Sequence, residues 1–261
     1  MYLVFFEKIF RFVVFGERNF KLIGPGKHDV VTGIIAAGGQ GTRLGQAGGK
    51  QLLNVADKPV AAWAVDALAR AQKIRDIIVV CDPNRVDEYE KLIRGAVSTR
   101  KRLKFIPGGD SRRDSVVAGL VEALDSDVVV IHDGARPLLD SKAVDSALEY
   151  FFKNIDVDGV VLGNQAVDTL KQVESGKVAD TPDRRKYWHA QTPQIFARDY
   201  IFDCYVHAND EGFQGTDDAS YCEYAGGTVV MAPSSRNNIK VTTPEDVDFV
   251  EHMLRKGARE C

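Results

Sequence analysis

From Val30 to Leu254 the chain alternates short, largely apolar runs with longer stretches whose apolar residues recur at helical spacing. The pattern predicts buried strands at Val30–Ile35, Ile77–Cys81, Leu103–Ile106, Val128–Ile131 and Gly159–Leu162. Between them it predicts a helix introduced by Lys58-Pro59 and running to about Gln72, with Trp63, Leu68 and Ala71 on one face. Further helices are expected at Val86–Arg94, from an Asp110 or Ser111 cap to about Leu124, and from an Asp140 cap to Phe152. Strands alternating with helices of this length imply an α/β fold: a mostly parallel sheet with helices on both faces and ligands at the carboxyl ends of the strands.

Asp168–Ile195 breaks the rhythm. Thr169–Val173, a turn at Glu174–Lys177 and the polar residues up to Thr192-Pro193 predict a protruding hairpin arm. Such an arm is too thin to have its own core, so it is expected to lie on a second subunit. The alternation resumes with helices at about Ala197–Ala208 and Asp217–Tyr224, strands at Thr228–Met231 and Ile239–Val241, and a closing helix from Pro244. Residues 1–28 stand apart, with six phenylalanines and a Gly24-Pro25-Gly26 linker. Glu7, Lys8 and Arg11 interrupt the apolar stretch, so it reads neither as a signal peptide nor as a membrane span. The expected organisation is an extension at 1–28 and a catalytic domain at 29–257, with 165–192 as its arm.

Composition adds exclusions. A net charge of −3 without a long basic run gives no reason to expect nucleic-acid binding. Cys81, Cys204, Cys222 and Cys261 have no metal-type spacing and read as unpaired thiols of a cytoplasmic protein.

The chemistry concentrates at strand exits. The first apolar run opens into a loop with Gly38, Gly39, Gly41, Gly45, Gly48 and Gly49, which also carries Arg43 and Lys50. Bare backbone N–H groups and two cations suit a polyphosphate. Lys50 is followed by Gln51, so the hydroxyl of a P-loop is missing. An NAD-type fingerprint fits poorly, because Asp82 lies about forty residues beyond the loop where about twenty are wanted. A second signal is Val128–Pro137, where an apolar strand ends in His132-Asp133-Gly134 and can present a carboxylate for phosphate-bound Mg²⁺ or cap the next loop. In the third, Gly108–Ser115, Gly109 and Ser115 suit either a base or ribose contact or plain helix capping. Thr169, Arg184 and Thr192 in the arm suit a phosphomonoester, and Lys240 is expected at a strand end.

The ordered set A-A-G-G-Q-G-T-R-L-G with K-Q, G-G-D-S-R-R-D-S-V, H-D-G-A-R-P, W-H-A-Q-T-P-Q, T-D-D-A-S and N-N-I-K-V-T resembles the 2-C-methyl-D-erythritol 4-phosphate cytidylyltransferases. The resemblance implies a Rossmann-like three-layer sandwich of nucleotidyltransferase type, CTP as co-substrate, Mg²⁺, and a homodimer in which the arm reaches the partner's site. It implies that Arg43 and Lys50 stabilise the transferring phosphate and that Ala36, Ala37, Gly38, Gly109, Asp110, Ser115 and Gly134 surround the cytidine. Asp133 would be the metal-side carboxylate. Thr169, Arg184, Thr192, Thr216, Lys240 and Thr242 would face methylerythritol 4-phosphate, with Arg184 and Lys240 orienting the incoming phosphate. Two positions depart from the family pattern: Gly49 stands where proline is usual, and Asn237 where aspartate is. The nearest alternative is a ribitol-5-phosphate cytidylyltransferase, which shares these motifs; a nicotinamide-dependent oxidoreductase is remote.

Overall fold

The computed structural model describes residues 30–39 and 49–257. The expectations for residues 1–28, Arg43 and Cys261 lie outside them.

A seven-stranded sheet forms the centre. In chain order its strands are β1 (Val31–Ala36), β4 (Ile74–Cys81), β5 (Arg102–Pro107), β6 (Val128–Asp133), β7 (Gly159–Gln165), β10 (Trp188–Ala197) and β11 (Val229–Pro233). The spatial order is β11-β7-β10-β6-β1-β4-β5, with β10 antiparallel to both neighbours and every other pair parallel. Alternate residues supply the two faces. Ile35, Val128 and Val130 pack with Leu68 of α1 (Val60–Arg70), Ile93 of α2 (Val86–Ala96) and Leu148 of α4 (Ser141–Lys153). Ile34, Val129 and Ile131 pack with Leu120 of α3 (Arg112–Glu122), Ile201 of α5 (Arg198–Asp210) and Cys222 of α6 (Asp218–Tyr224). The expected three-layer α/β sandwich is the observed fold. A smaller apolar cluster joins Val250 of α7 (Pro244–Gly257) to Val55, Val60 and Val241.

Three sequence expectations change. Lys58–Pro59 (β3) pairs with Asn54–Val55 (β2) in a minimal hairpin through Ala56 and Asp57, both at positive φ, so α1 starts one residue later than Pro59. The arm is shorter than expected: its ribbon is Gln172–Glu174 (β8) with Lys177–Asp180 (β9), all exposed, whereas Trp188–Ala197 returns into the central sheet. Gln191, Thr192 and Gln194 masked a strand whose inner half, Gln191–Phe196, is buried on both faces. Ile239–Val241 forms no strand; Val241 N–H donates once, to the Ala135 carbonyl at 2.8 Å.

Candidate active site

Four strand exits meet at one edge. Ala36, the last residue of β1, lies in register with Asp133, the last of β6. Gly134 N–H donates to Ala36 O, Ala37 N–H to Val80 O and Gly108 N–H to Cys81 O, at 2.9, 2.8 and 2.7 Å. The crossing is tight at Gly134, where an added Cβ would stand 3.1 Å from the Ala37 Cβ and 3.2 Å from Ile35 Cγ2. A larger residue would push β1 and β6 apart where they turn toward the ligand edge.

Asp133 is the centre of this edge. Its side chain is 7% exposed, with Arg112 Nε 3.0 Å from Oδ1 and Lys240 Nζ 2.7 Å from Oδ2. Arg136 Nε lies further off at 3.9 Å. Burial by itself would raise the Asp133 pKa, but Arg112 and Lys240 outweigh it and hold the carboxyl well below the usual carboxylate range. Behind the carboxylate, Asp133 N–H donates to Thr192 Oγ1 at 3.0 Å, and Thr192 Oγ1 lies 2.9 Å from His132 Nδ1. His132 Nε2 lies 3.1 Å from the Arg136 carbonyl, which only accepts, so Nε2 carries the proton and Nδ1 receives the Thr192 hydroxyl. His132 is fully buried, and burial pushes its pKa down to about 4, so it is neutral at physiological pH. It is a core histidine with both ring nitrogens hydrogen-bonded.

Other sequence-predicted residues fall around this centre. Gly38 is half-buried and Ala37 buried at the β1 exit, where the Ala37 carbonyl accepts from Tyr89 Oη at 3.0 Å. Lys50 opens a 3₁₀ turn, Lys50–Leu52, directly after Gly49 at φ 78°, and is half-buried. Ser111, not Asp110, caps α3, in a reciprocal capping box with Asp114. Asp110 and Gly109 stay exposed, while Ser115 is buried and its hydroxyl accepts from Gly109 N–H at 3.2 Å. Ser115 therefore shapes the loop from beneath. Thr192 likewise turns inward: only 4% exposed, it braces Asp133 and does not face outward. Thr242 donates from both its N–H and its hydroxyl to Asp246 Oδ2, at 2.8 and 2.7 Å, and so opens α7. Thr216 is exposed before the Asp217 cap of α6. Thr169 and Arg184 are exposed on the arm; Arg184 Nη1 donates to the Val167 carbonyl, a local contact.

Three residues at the centre were not singled out from sequence. Arg112 donates to Asp133 and also, through both terminal nitrogens, to Asp218 at 2.8 Å each. Asp218 is fully buried. Asn238, also fully buried, accepts from Arg136 Nη1 at 2.7 Å through its carbonyl and donates to Gln191 Oε1 and Thr192 O. The carboxylate of Asp133 is flanked by cations, and the described residues hold no cluster of three or more His, Cys, Asp or Glu side chains suited to a metal. That donor set makes no protein cage. It suits a hard cation delivered with phosphates, since Mg²⁺ keeps most of its waters and takes one or two carboxylates.

The IspD family model, 2-C-methyl-D-erythritol 4-phosphate cytidylyltransferase, matches residues 31–256. A protein of that name from Clostridium botulinum is 35% identical over 228 residues, covering 87% of this chain and all of the relative. Another from Aquifex aeolicus is 37% identical over 223 residues, covering 85% of this chain and 97% of its own. The crystal structure of 4-diphosphocytidyl-2C-methyl-D-erythritol synthase from Anaerococcus prevotii superposes with a TM-score of 0.76 at 26% identity, over 87% of this chain and 96% of that one. The chain belongs to the 2-C-methyl-D-erythritol 4-phosphate cytidylyltransferase family.

Proposed function

We propose that this chain transfers CMP from CTP to 2-C-methyl-D-erythritol 4-phosphate, releasing pyrophosphate, in the non-mevalonate route to isoprenoids. The observation that carries the reading is the Arg112–Asp133–Lys240 cluster beside the Ala36–Gly38 turn, in a chain of this family. The acceptor phosphate is already an anion, so no general base is required. One of its oxygens attacks the α-phosphorus in line, the bond to the bridging oxygen breaks, and pyrophosphate leaves. What remains for the protein is positioning and charge neutralisation.

In this reading Arg43 and Lys50 neutralise the transferring phosphate. Ala36, Ala37, Gly38, Gly109, Asp110 and Gly134 line the cytidine, with Ser115 holding Gly109 in place. Lys240 has three donors, so it can keep one on Asp133 while turning another to the acceptor phosphate. Asp133 would be the protein ligand of a Mg²⁺ ion that lowers the charge on the triphosphate. Arg184, Thr169, Thr216 and Thr242 belong to the acceptor side; Thr169 and Arg184 are exposed on the arm and are assigned to the partner's site in a homodimer. No helix of the described residues is long and apolar enough to cross a membrane, and with its buried free thiols the chain is assigned to the cytoplasm. The test is Mg²⁺-dependent pyrophosphate release from CTP on addition of methylerythritol 4-phosphate. Release is expected with the acceptor and not without it; no release with both substrates and Mg²⁺ present overturns the reading.

A further inference from the structure

Arg112 occupies the first turn of α3, where a cation opposes the helix dipole. Its placement therefore does not serve the helix. Its guanidinium spends three donors on two carboxylates from distant parts of the chain: Nε on Asp133, and both terminal nitrogens on Asp218. Asp218 is itself a fixed point. It accepts from Tyr205 Oη at 2.5 Å, and the Tyr205 ring stacks on Tyr221 with centroids 4.2 Å apart. On either side of it, Gln194 of β10 receives Ala219 N–H at 2.8 Å and donates to Asp217 Oδ2 at 2.7 Å, pinning the start of α6 to the sheet. Burial and the Asp218 contact are thus answered by the one residue type whose planar fork fits both partners.

The geometry points to Arg112 as a positioning residue, held by Asp218, that sets the Asp133 carboxylate and ties it to the Gly108–Ser115 loop at the head of α3. The inference rests on the proposed cytidylyl transfer, in which Asp133 and that loop serve the nucleotide. Asp218 would then matter for CTP although it faces the protein interior. A lysine at 112 keeps the charge but loses the fork, and does not replace it.

The test is steady-state kinetics of Arg112→Lys, Asp218→Asn and the double variant, each substrate varied in turn, together with calorimetric titration of CTP and thermal unfolding. Each single variant is expected to lose roughly 10- to 100-fold in kcat/KM for CTP, with KM for the acceptor within about threefold of wild type. The double variant is expected to lose little more than the worse single one, because both break one strut. Tyr205→Phe, a milder change, is expected to shift CTP parameters a few-fold while remaining folded, and decides the case if Asp218→Asn does not fold. Wild-type CTP parameters in folded Asp218→Asn, or in folded Tyr205→Phe where that variant decides, would overturn the inference; so would equal losses toward both substrates that track the melting temperature. A wild-type chain without transferase activity would instead defeat the functional reading. The strut would then stand or fall on CTP titration alone, with unchanged affinity in Asp218→Asn overturning it.

Discussion

His132 shows how a fully buried titratable group sets a pH limit on the fold. Its ordinary pKa of 6.5 falls to about 4 on burial, so the unfolded chain binds a proton in that interval that the folded chain does not. Stability is therefore lost as pH falls from about 6.5 to about 4, by up to ~3 kcal/mol for this group. Denaturant melts of wild type and His132→Gln across that range are expected to show a shallower pH slope in the variant; parallel slopes would contradict the assignment. At the proposed reacting centre, Lys50→Ala and Lys240→Ala are each expected to lower kcat by roughly 100-fold or more, the scale of losing one preorganised donor to a transition-state anion. Near-wild-type turnover in either would contradict that residue's assignment. Asp133 and Lys240 were legible because each sits in a local run that ends at a strand exit or precedes a helix. Arg112 and Asp218 were not, since 106 residues separate them and only the folded sheet brings their charges together. The burial of Thr192 was not legible for a related reason: its hydroxyl turns inward only because β10 lies in the sheet.

Among the elements, α3 carries most of the consequence. Its Gly119 is a poor helix former that the sequence pattern leaves unexplained. An added Cβ there would come within 2.5 Å of Ile34 Cγ2 on β1. Gly119→Ala is thus expected to destabilise by about 1–3 kcal/mol through overpacking, despite its gain in helix propensity. Equilibrium unfolding checks this, and a stabilised variant would show that the helix can move off the sheet freely. The apolar spacing from Val116 to Leu124 made this helix readable, and its Ser111 cap was one of two candidates. The choice fell to Ser111 because Asp114, three residues on, completes the reciprocal box. By contrast Ile239–Val241 had strand-like residues without a strand partner: one hydrogen bond to Ala135 fixes it, and Lys240 reaches Asp133 from a loop.

On the scale of the whole molecule, the parallel core was legible because most of its strands hold a run of apolar residues and a helical stretch follows each of the first four. The antiparallel β10 was hidden because its outer half belongs to the exposed arm and its inner half contains Gln191, Thr192 and Gln194, polar residues buried in the site's own network. The arm itself presents Val173 and Val178, register partners on the β8–β9 ribbon that are 55% and 60% exposed. If the arm covers a second copy, Val173→Glu with Val178→Glu is expected to shift the chain from dimer to monomer in light scattering and to reduce turnover. An unchanged mass would place the subunit contact elsewhere. The central claim, cytidylyl transfer to a methylerythritol phosphate, is reached most directly by ³¹P NMR of the reaction of CTP with Mg²⁺ and either methylerythritol 4-phosphate or ribitol 5-phosphate. The account predicts a new diphosphate diester and free pyrophosphate with the first acceptor alone. Diester formation with ribitol 5-phosphate instead, or with neither, would contradict it.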